Sequence, residues 1–275
     1  MDNLQDKNLN IRTGVREVEH LSDDKKIIMD LALLAGSILT ESGAETYRIE
    51  DTVERIMSLS GSDNFETISY LTSLMVTMTD EGGNNFTAVK RIKNHTIDLY
   101  NIKLVNEISR ELVSHKISYK DAERRLLDLN KQKKDMSTNI IFRVLMSMGF
   151  TLMVGGRGLE ILLSGLAASS MLPTLKLLPK GAMGGDFIPQ FMQSFVASLV
   201  LAAFARLIPS INMDAMIMGT LISLFPGNTL TNGIRDTLKG DYLTGAGNLL
   251  SAIASALAMA FGTGMALLFT GGVYL

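Results

Sequence analysis

The chain has 275 residues, a formal net charge of −2 and no cysteine. The charge balance, with no basic stripe interleaved with aromatics, gives no reason to expect nucleic acid as a partner. Lack of cysteine excludes disulfides, thiolate zinc sites and cysteine nucleophiles. The three histidines (His20, His95 and His115) are far apart without ligand-like spacing, so no metal site and no cofactor is expected.

Charge is spread unevenly. Before Ser137 stand 19 of the 26 Lys and Arg residues and 23 of the 28 Asp and Glu residues; from Ser137 onward only 7 and 5 remain. A surface in water needs charge and one in lipid cannot carry it, so the chain reads as a soluble half followed by a membrane half. The expected organisation is a polar N-terminal tail (1–20), a small cytoplasmic α+β domain (21–136) and a transmembrane helical domain (137–275). The first 20 residues hold no apolar core of the kind a signal peptide needs, which leaves the N-terminus in the cytoplasm.

In chain order, Ile27–Leu39 is apolar but only 13 residues long, too short for a span. Ile27, Leu31, Leu34, Ala35 and Ile38 have the spacing of an amphipathic helix, with Ser22, Asp23 and Asp24 to cap it. Gly43 suits the left-handed turn that closes this helix. Ser42 and Glu45 have capping-box spacing for a second helix, with Ile49, Val53, Ile56 and Met57 on one face and an Asp51–Arg55 ion pair outside. That helix ends near Ser60-Gly61. Three strands follow at Phe65–Leu71, Leu74–Thr79 and Phe86–Ile92, the last two joined by the turn sequence at 80–85. Helices resume at Ile97–His115, with Ile97, Tyr100, Leu104, Ile108 and Leu112 on a face, and at Tyr119–Lys134.

Apolar segments then run over 140–154, 159–172, 187–208, 213–225 and 243–270. Five spans are expected, with four and six as the neighbouring counts, because only the third and fifth reach the length of about 20 residues that a straight span needs. Lys131, Lys133 and Lys134 set the first span N-terminus-in. Alternation then puts Lys176, Lys180, Arg235 and Lys239 in the cytoplasm, Arg157 and Arg206 outside, and the C-terminus on the periplasmic or extracellular side. The fifth segment carries Ala252, Ala256, Ala260 and Gly264 at four-residue intervals, a stripe for close helix packing inside the bundle or in an oligomer.

The most pointed stretch of the apolar half is Phe225–Asp236. Pro226-Gly227 breaks a helix, and Asn228, Thr229, Thr231, Asn232 and Arg235 follow within nine residues. Unwound backbone at membrane depth is tolerated where it lines a cavity. A helix reopening at Thr231 or Asn232 would aim its N–H groups at an anion, and Arg235 would grip a carboxylate. An ordinary cytoplasmic loop, with Arg235 as a topology anchor, explains the same residues.

Gly43-Ala44-Glu45-Thr46-Tyr47-Arg48-Ile49-Glu50 resembles the N-terminal signature of the threonine/serine exporter family. Pro226-Gly227, Leu230–Asp236 and Gly240-Asp241 resemble that family's membrane-domain signature. The two bracket most of the chain in the right order. The resemblance implies a five-helix membrane domain behind a cytoplasmic one, in a bacterial inner membrane. It also implies export of a small carboxylate-bearing metabolite: threonine and serine, or a dicarboxylate such as succinate. With the chain stopping at Leu275, it is similar to the shorter, split members, in which a separate small membrane subunit of the same family supplies a second membrane module.

The substrate-binding candidates are therefore Asn228, Thr229, Thr231, Asn232, Arg235 and Asp236, and the family-signature positions are Gly43, Glu45, Arg48, Glu50, Pro226 and Gly227. Asp214, at the start of the fourth apolar segment, is the candidate for proton coupling, although an acidic residue near a helix N-terminus is also explained by the dipole. Arg143, Glu160, Asp186 and Arg206 lie within or beside the apolar segments. Glu45, Arg48 and Glu50 suit either a functional cluster or local capping and ion pairing. No nucleophile–base set is visible, so an enzyme is not expected. The competing reading is a membrane-anchored regulatory or enzymatic protein acting through its α+β domain.

Overall fold

The computed structural model describes residues 22–62, 64–93, 95–131, 140–177 and 187–271. The expected boundary at 136/137, the N-terminal tail with His20, and Lys133, Lys134, Lys180 and Asp186 lie outside the described residues. The chain folds as two compact units: Met1–Lys134 with Thr231–Asn248, and Asp135–Leu230 with Leu249–Leu275.

The first unit is built round α1 (Asp23–Glu41). Its expected single apolar face is exceeded: Ile28, Met29 and every residue from Leu31 to Thr40 are buried, while Ile27 is exposed. The reason is tertiary. Helices α2 (Thr46–Met57), α3 (Leu99–Val113) and α4 (Tyr119–Lys131) and the strands at Ser73–Thr79 and Asn85–Arg91 all pack on it. The two polar residues trapped there, Ser37 and Thr40, donate to the carbonyls of Leu34 and Gly36, which removes the cost of burying their hydroxyls.

The strands β1 (Phe65–Tyr70), β2 (Ser73–Thr79) and β3 (Asn85–Arg91) lie within a residue or two of the expected bounds and form an antiparallel meander in the order β1-β2-β3. Phe65 pairs with Met78 and Tyr70 with Ser73; Ser73 pairs with Arg91 and Thr79 with Asn85. Leu74, Val76 and Met78 face the helices and are fully buried, each contributing about 1.5–3 kcal/mol. At the 80–85 turn Gly83 takes a left-handed φ of 81°, and the Asp80 carboxylate accepts from the Asn84 backbone.

Two details of the helices differ from expectation. Ser22 occupies the N-cap of α1 but makes no side-chain cap bond. The buried face of α3 is Ile102, Val105, Ile108, Ser109 and Leu112, with Tyr100 exposed, because Asp98 caps the helix at Asn101 and leaves Ile97 outside it.

The second unit contains α5 (Ile140–Met153), α6 (Leu159–Ser169), α7 (Met171–Leu177), α8 (Phe187–Leu207), α9 (Met213–Leu221) with a 3₁₀ turn at Ile222–Leu224, the opening of α10 (Gly227–Lys239) and most of α11 (Tyr242–Phe269). Of these, α8 and α11 are long and apolar enough to cross a membrane; Ile140–Met153, Leu159–Thr174 and Met213–Leu224 are shorter apolar helices. Polarity runs inside out. Leu145, Leu166, Leu257 and Phe261 are exposed, while Ser147, Thr151, Ser164, Ser198 and Thr220 are buried.

Small residues let these helices approach closely. A side chain at Gly219 would overlap the backbone of Thr151, and one at Gly165 would press on Met148 and Val144. The Ser147 hydroxyl donates to the Ser164 carbonyl at 2.9 Å, and Arg143 donates to Gln193 Oε1 at 2.8 Å. On α11 the side buried in the bundle is Ala252, Ser255, Ala258, Met259, Gly262 and Ala266; Ala256 and Ala260 of the four-residue stripe are exposed, which goes against packing of the whole stripe inside the bundle. Gly262 seats this face against Phe191 and Phe195 of α8, and Ser198 hydrogen-bonds Thr263.

Candidate functional site

The N-terminal signature opens at the end of α1. Gly43 adopts φ 73°, and the N–H of Ala44 returns to the Leu39 carbonyl at 3.0 Å, closing the helix as expected. The capping box does not form. Ser42 is instead the C-cap of α1, and Glu45 is the N-cap of α2, with an extended backbone and no side-chain cap bond. Its carboxylate pairs instead with two guanidinium groups, Arg48 of α2 at 3.2 Å and Arg235.

The second signature also differs from expectation. Only Phe225 and Pro226 interrupt the helical path. The N–H of Leu230 bonds the Pro226 carbonyl at 2.9 Å, so the new helix opens at Gly227 rather than at Thr231 or Asn232. The backbone N–H groups of Thr231 and Asn232 therefore lie inside α10 and are not aimed at an anion. Proline is tolerated because a helix start needs no donor from it.

At its other end α10 stops at Gly240, with φ 95°, and α11 folds back directly. A Cβ at Gly245 would lie about 3 Å from the Gly233 carbonyl and closer still to Thr237, so the two helices touch through backbone at this corner.

This geometry brings the N-terminal signature together, within the first unit, with the part of the second signature that runs from Thr231 to Asp241. Asn232, Arg235, Asp236 and Lys239 have the i, i+3, i+4, i+7 spacing of one helical face. The Asn232 amide donates to the Gly43 carbonyl at 3.1 Å, Arg235 pairs with Glu45, and the Lys239 ammonium lies 2.9 Å from the centre of the Tyr47 ring. Asn248 of α11 donates to Asp236 Oδ2 at 3.2 Å, and the Thr244 hydroxyl donates to the Ser69 carbonyl at 3.2 Å. Glu50 completes the cluster by accepting from the Ser69 N–H at 3.1 Å.

The layering is directional. The Arg48 and Arg235 side chains are about half exposed (43% and 44%), that of Glu45 is 13% exposed and Asp236 as a residue 1%. Cations thus cover carboxylates. Burial pushes the Asp236 carboxyl above its ordinary range, against the backbone N–H and hydroxyl of Thr46, and Asp241 adds to the rise. Burial likewise raises Glu50, opposed by the Ser69 N–H and reinforced by Asp241, Glu54 and Asp236.

The remaining candidates fall elsewhere. Asn228 and Thr229 lie in the first turn of α10, in the second unit, and are not part of this cluster; Thr231 is exposed. Asp214 is exposed in the first turn of α9, where the Asn212 side chain is the cap, accepting from Ala215 N at 3.0 Å. Glu160 accepts from the backbone N–H groups of Arg157 and Asn212, and Arg206 donates to the Thr270 carbonyl. Among the described residues no group of three His, Cys, Asp or Glu side chains is placed to hold a metal.

Thr46, Ser69, Asp241 and Asn248 were not singled out as site residues in the sequence. One signal pointed toward them: four of the twelve charges after Ser137 fall between Arg235 and Asp241.

Apolar helix faces turned outward over a hydroxyl-lined interior are those of a membrane protein. The family model described as "Putative threonine/serine exporter" (ThrE) matches residues 30–270. The chain belongs to this family and is a transporter of the threonine/serine exporter type, a class distinct from the enzymes. No curated protein and no solved structure matches it.

Proposed function

We propose that the chain is one subunit of a secondary transporter that exports a small carboxylate-bearing metabolite across a bacterial inner membrane. The substrates that fit are threonine and serine or a dicarboxylate such as succinate. A separate small membrane subunit completes the pathway, the unit containing α1–α4 is cytoplasmic, and the apolar half of the chain supplies five spans. The observation that carries this reading is the family match across both units, 241 residues from 30 to 270, with both signatures inside it. Asn232 and Arg235 are the substrate contacts we favour. Arg235 is a half-exposed cation whose present partner is a carboxylate, so a substrate carboxylate can exchange with Glu45 for the same guanidinium.

The test is efflux of labelled threonine, serine and succinate from cells making the chain alone or with a candidate small membrane subunit. Efflux of one of them above that of cells lacking the chain supports the reading. Equal efflux in every combination contradicts it.

A further inference from the structure

Asp236 is the most deeply buried carboxylate of the cluster. It is 1% exposed, and its Oδ1 has no hydrogen-bond partner. Asn248 donates to Oδ2, and Thr46 offers its backbone N–H and hydroxyl to the same group, yet Oδ1 stays unpartnered. An ionised carboxylate out of water with an unmet acceptor costs several kcal/mol in order of magnitude, and a buried carboxyl relieves that cost by taking up a proton.

The charged surroundings favour the same outcome. From α2 come Glu45, Arg48, Glu50 and Glu54; from α10, Arg235 and Lys239; from the corner, Asp241; the first two turns of α11 carry no charge. Arg48 and Arg235 are committed to Glu45, and Lys239 lies over Tyr47, so Asp236 has no ion pair of its own. The charges that act on it are carboxylates, Asp241 and, across the cluster, Glu50.

We propose that Asp236 is a proton-binding site at the junction of α2, α10 and α11, carrying its proton while the three helices are packed and releasing it when water reaches the carboxyl. The position suits such a switch because one side chain spans its own helix, the first residue of α2 and the second turn of α11. Loss of the proton places a charge where no cation answers it, and opening the junction hydrates that charge. This rests on the transport reading for its use, since a proton site tied to helix packing supplies a means of coupling, but it holds as a chemical statement without it.

The experiment has two readouts. Infrared difference spectra of the full chain in detergent, recorded between acid and neutral pH, should show a protonated-carboxyl band that is lost in Asp236→Asn. The midpoint should move up in Thr46→Val, which removes a hydroxyl that favours the ionised form, and down in Asp241→Asn, which removes a like charge. An unchanged band in Asp236→Asn, or midpoints that do not move in the two neighbours, overturns the proposal. In the second arm, efflux of labelled serine and of succinate from proteoliposomes holding the chain together with a candidate small membrane subunit is followed across pH. The wild-type rate should vary with pH by several-fold and the Asp236→Asn rate should not. A pH dependence that survives in Asp236→Asn overturns the proton site's role, whereas failure of the wild type to move either probe counts against the transport reading and leaves the infrared result to decide the proton site.

Discussion

The two units place their polar groups on opposite sides. In the first, Leu39, Val53, Leu74 and Met78 fill the interior, and charged residues such as Asp51 and Arg55 stand outside. In the second, Leu145, Leu166, Leu257 and Phe261 are outside, and alanine, glycine and serine or threonine hydroxyls are inside beside a few large side chains such as Leu201 and Met216. Water expels apolar side chains, so the first core is held by their burial. Lipid offers no such preference, so the second is held by close approach and by hydrogen bonds between helices. The same substitution should therefore have different effects in the two units.

The widest gap is expected from leucine truncation. Leu39→Ala in the first unit should cost about 2–5 kcal/mol, seen as a lowered unfolding midpoint of the purified chain. Leu166→Ala, on an exposed face of α6, should change it little. Introducing charge reverses the ranking. Leu257→Asp on the outer face of α11 should oppose membrane insertion by about 2.5–3.5 kcal/mol. Ile68→Asp on the exposed face of β1 should shift stability by no more than about 0.5 kcal/mol. Equal effects of the two aspartates on membrane-fraction yield would remove the contrast.

Within the signature cluster the effects are smaller. A double-mutant cycle of Glu45→Gln and Arg235→Gln should give a coupling of about 1 kcal/mol, reduced by the half exposure of Arg235. Glu50 sets a pH dependence. Its folded value lies above the ordinary 4.5, so its contribution is complete below the unfolded value and is lost as pH rises through the folded one. The unfolding midpoint of Glu50→Gln relative to wild type should rise across that window and level off above it. Asp51→Ala, which breaks an exposed pair with Arg55, should cost only about 0.3–0.5 kcal/mol.

Much of the first unit was legible in the sequence because its patterns are local. Alternation at Leu74, Val76 and Met78 marks β2, and the glycine-rich turn marks the hairpin. The site was only half legible. Both signatures could be read, yet Pro226-Gly227 suggested a longer interruption than the structure contains, because a proline just before a helix looks the same in sequence as one in a loop. Packing of Arg235 on Glu45 joins residues 190 positions apart, and no local pattern encodes it. The bundle-facing side of α11 was not legible for a related reason: several small-residue registers coexist on that helix, and Gly262 selects one by its fit to α8.

The most direct measurement is the efflux rate of labelled threonine, serine and succinate from cells making wild-type chain or Arg235→Ala at equal membrane levels, with a candidate small membrane subunit present. At least one substrate should leave wild-type cells faster than cells lacking the chain, and Arg235→Ala should abolish that gain. Efflux in Arg235→Ala equal to wild type would contradict the placement of the substrate contact at the joined signatures.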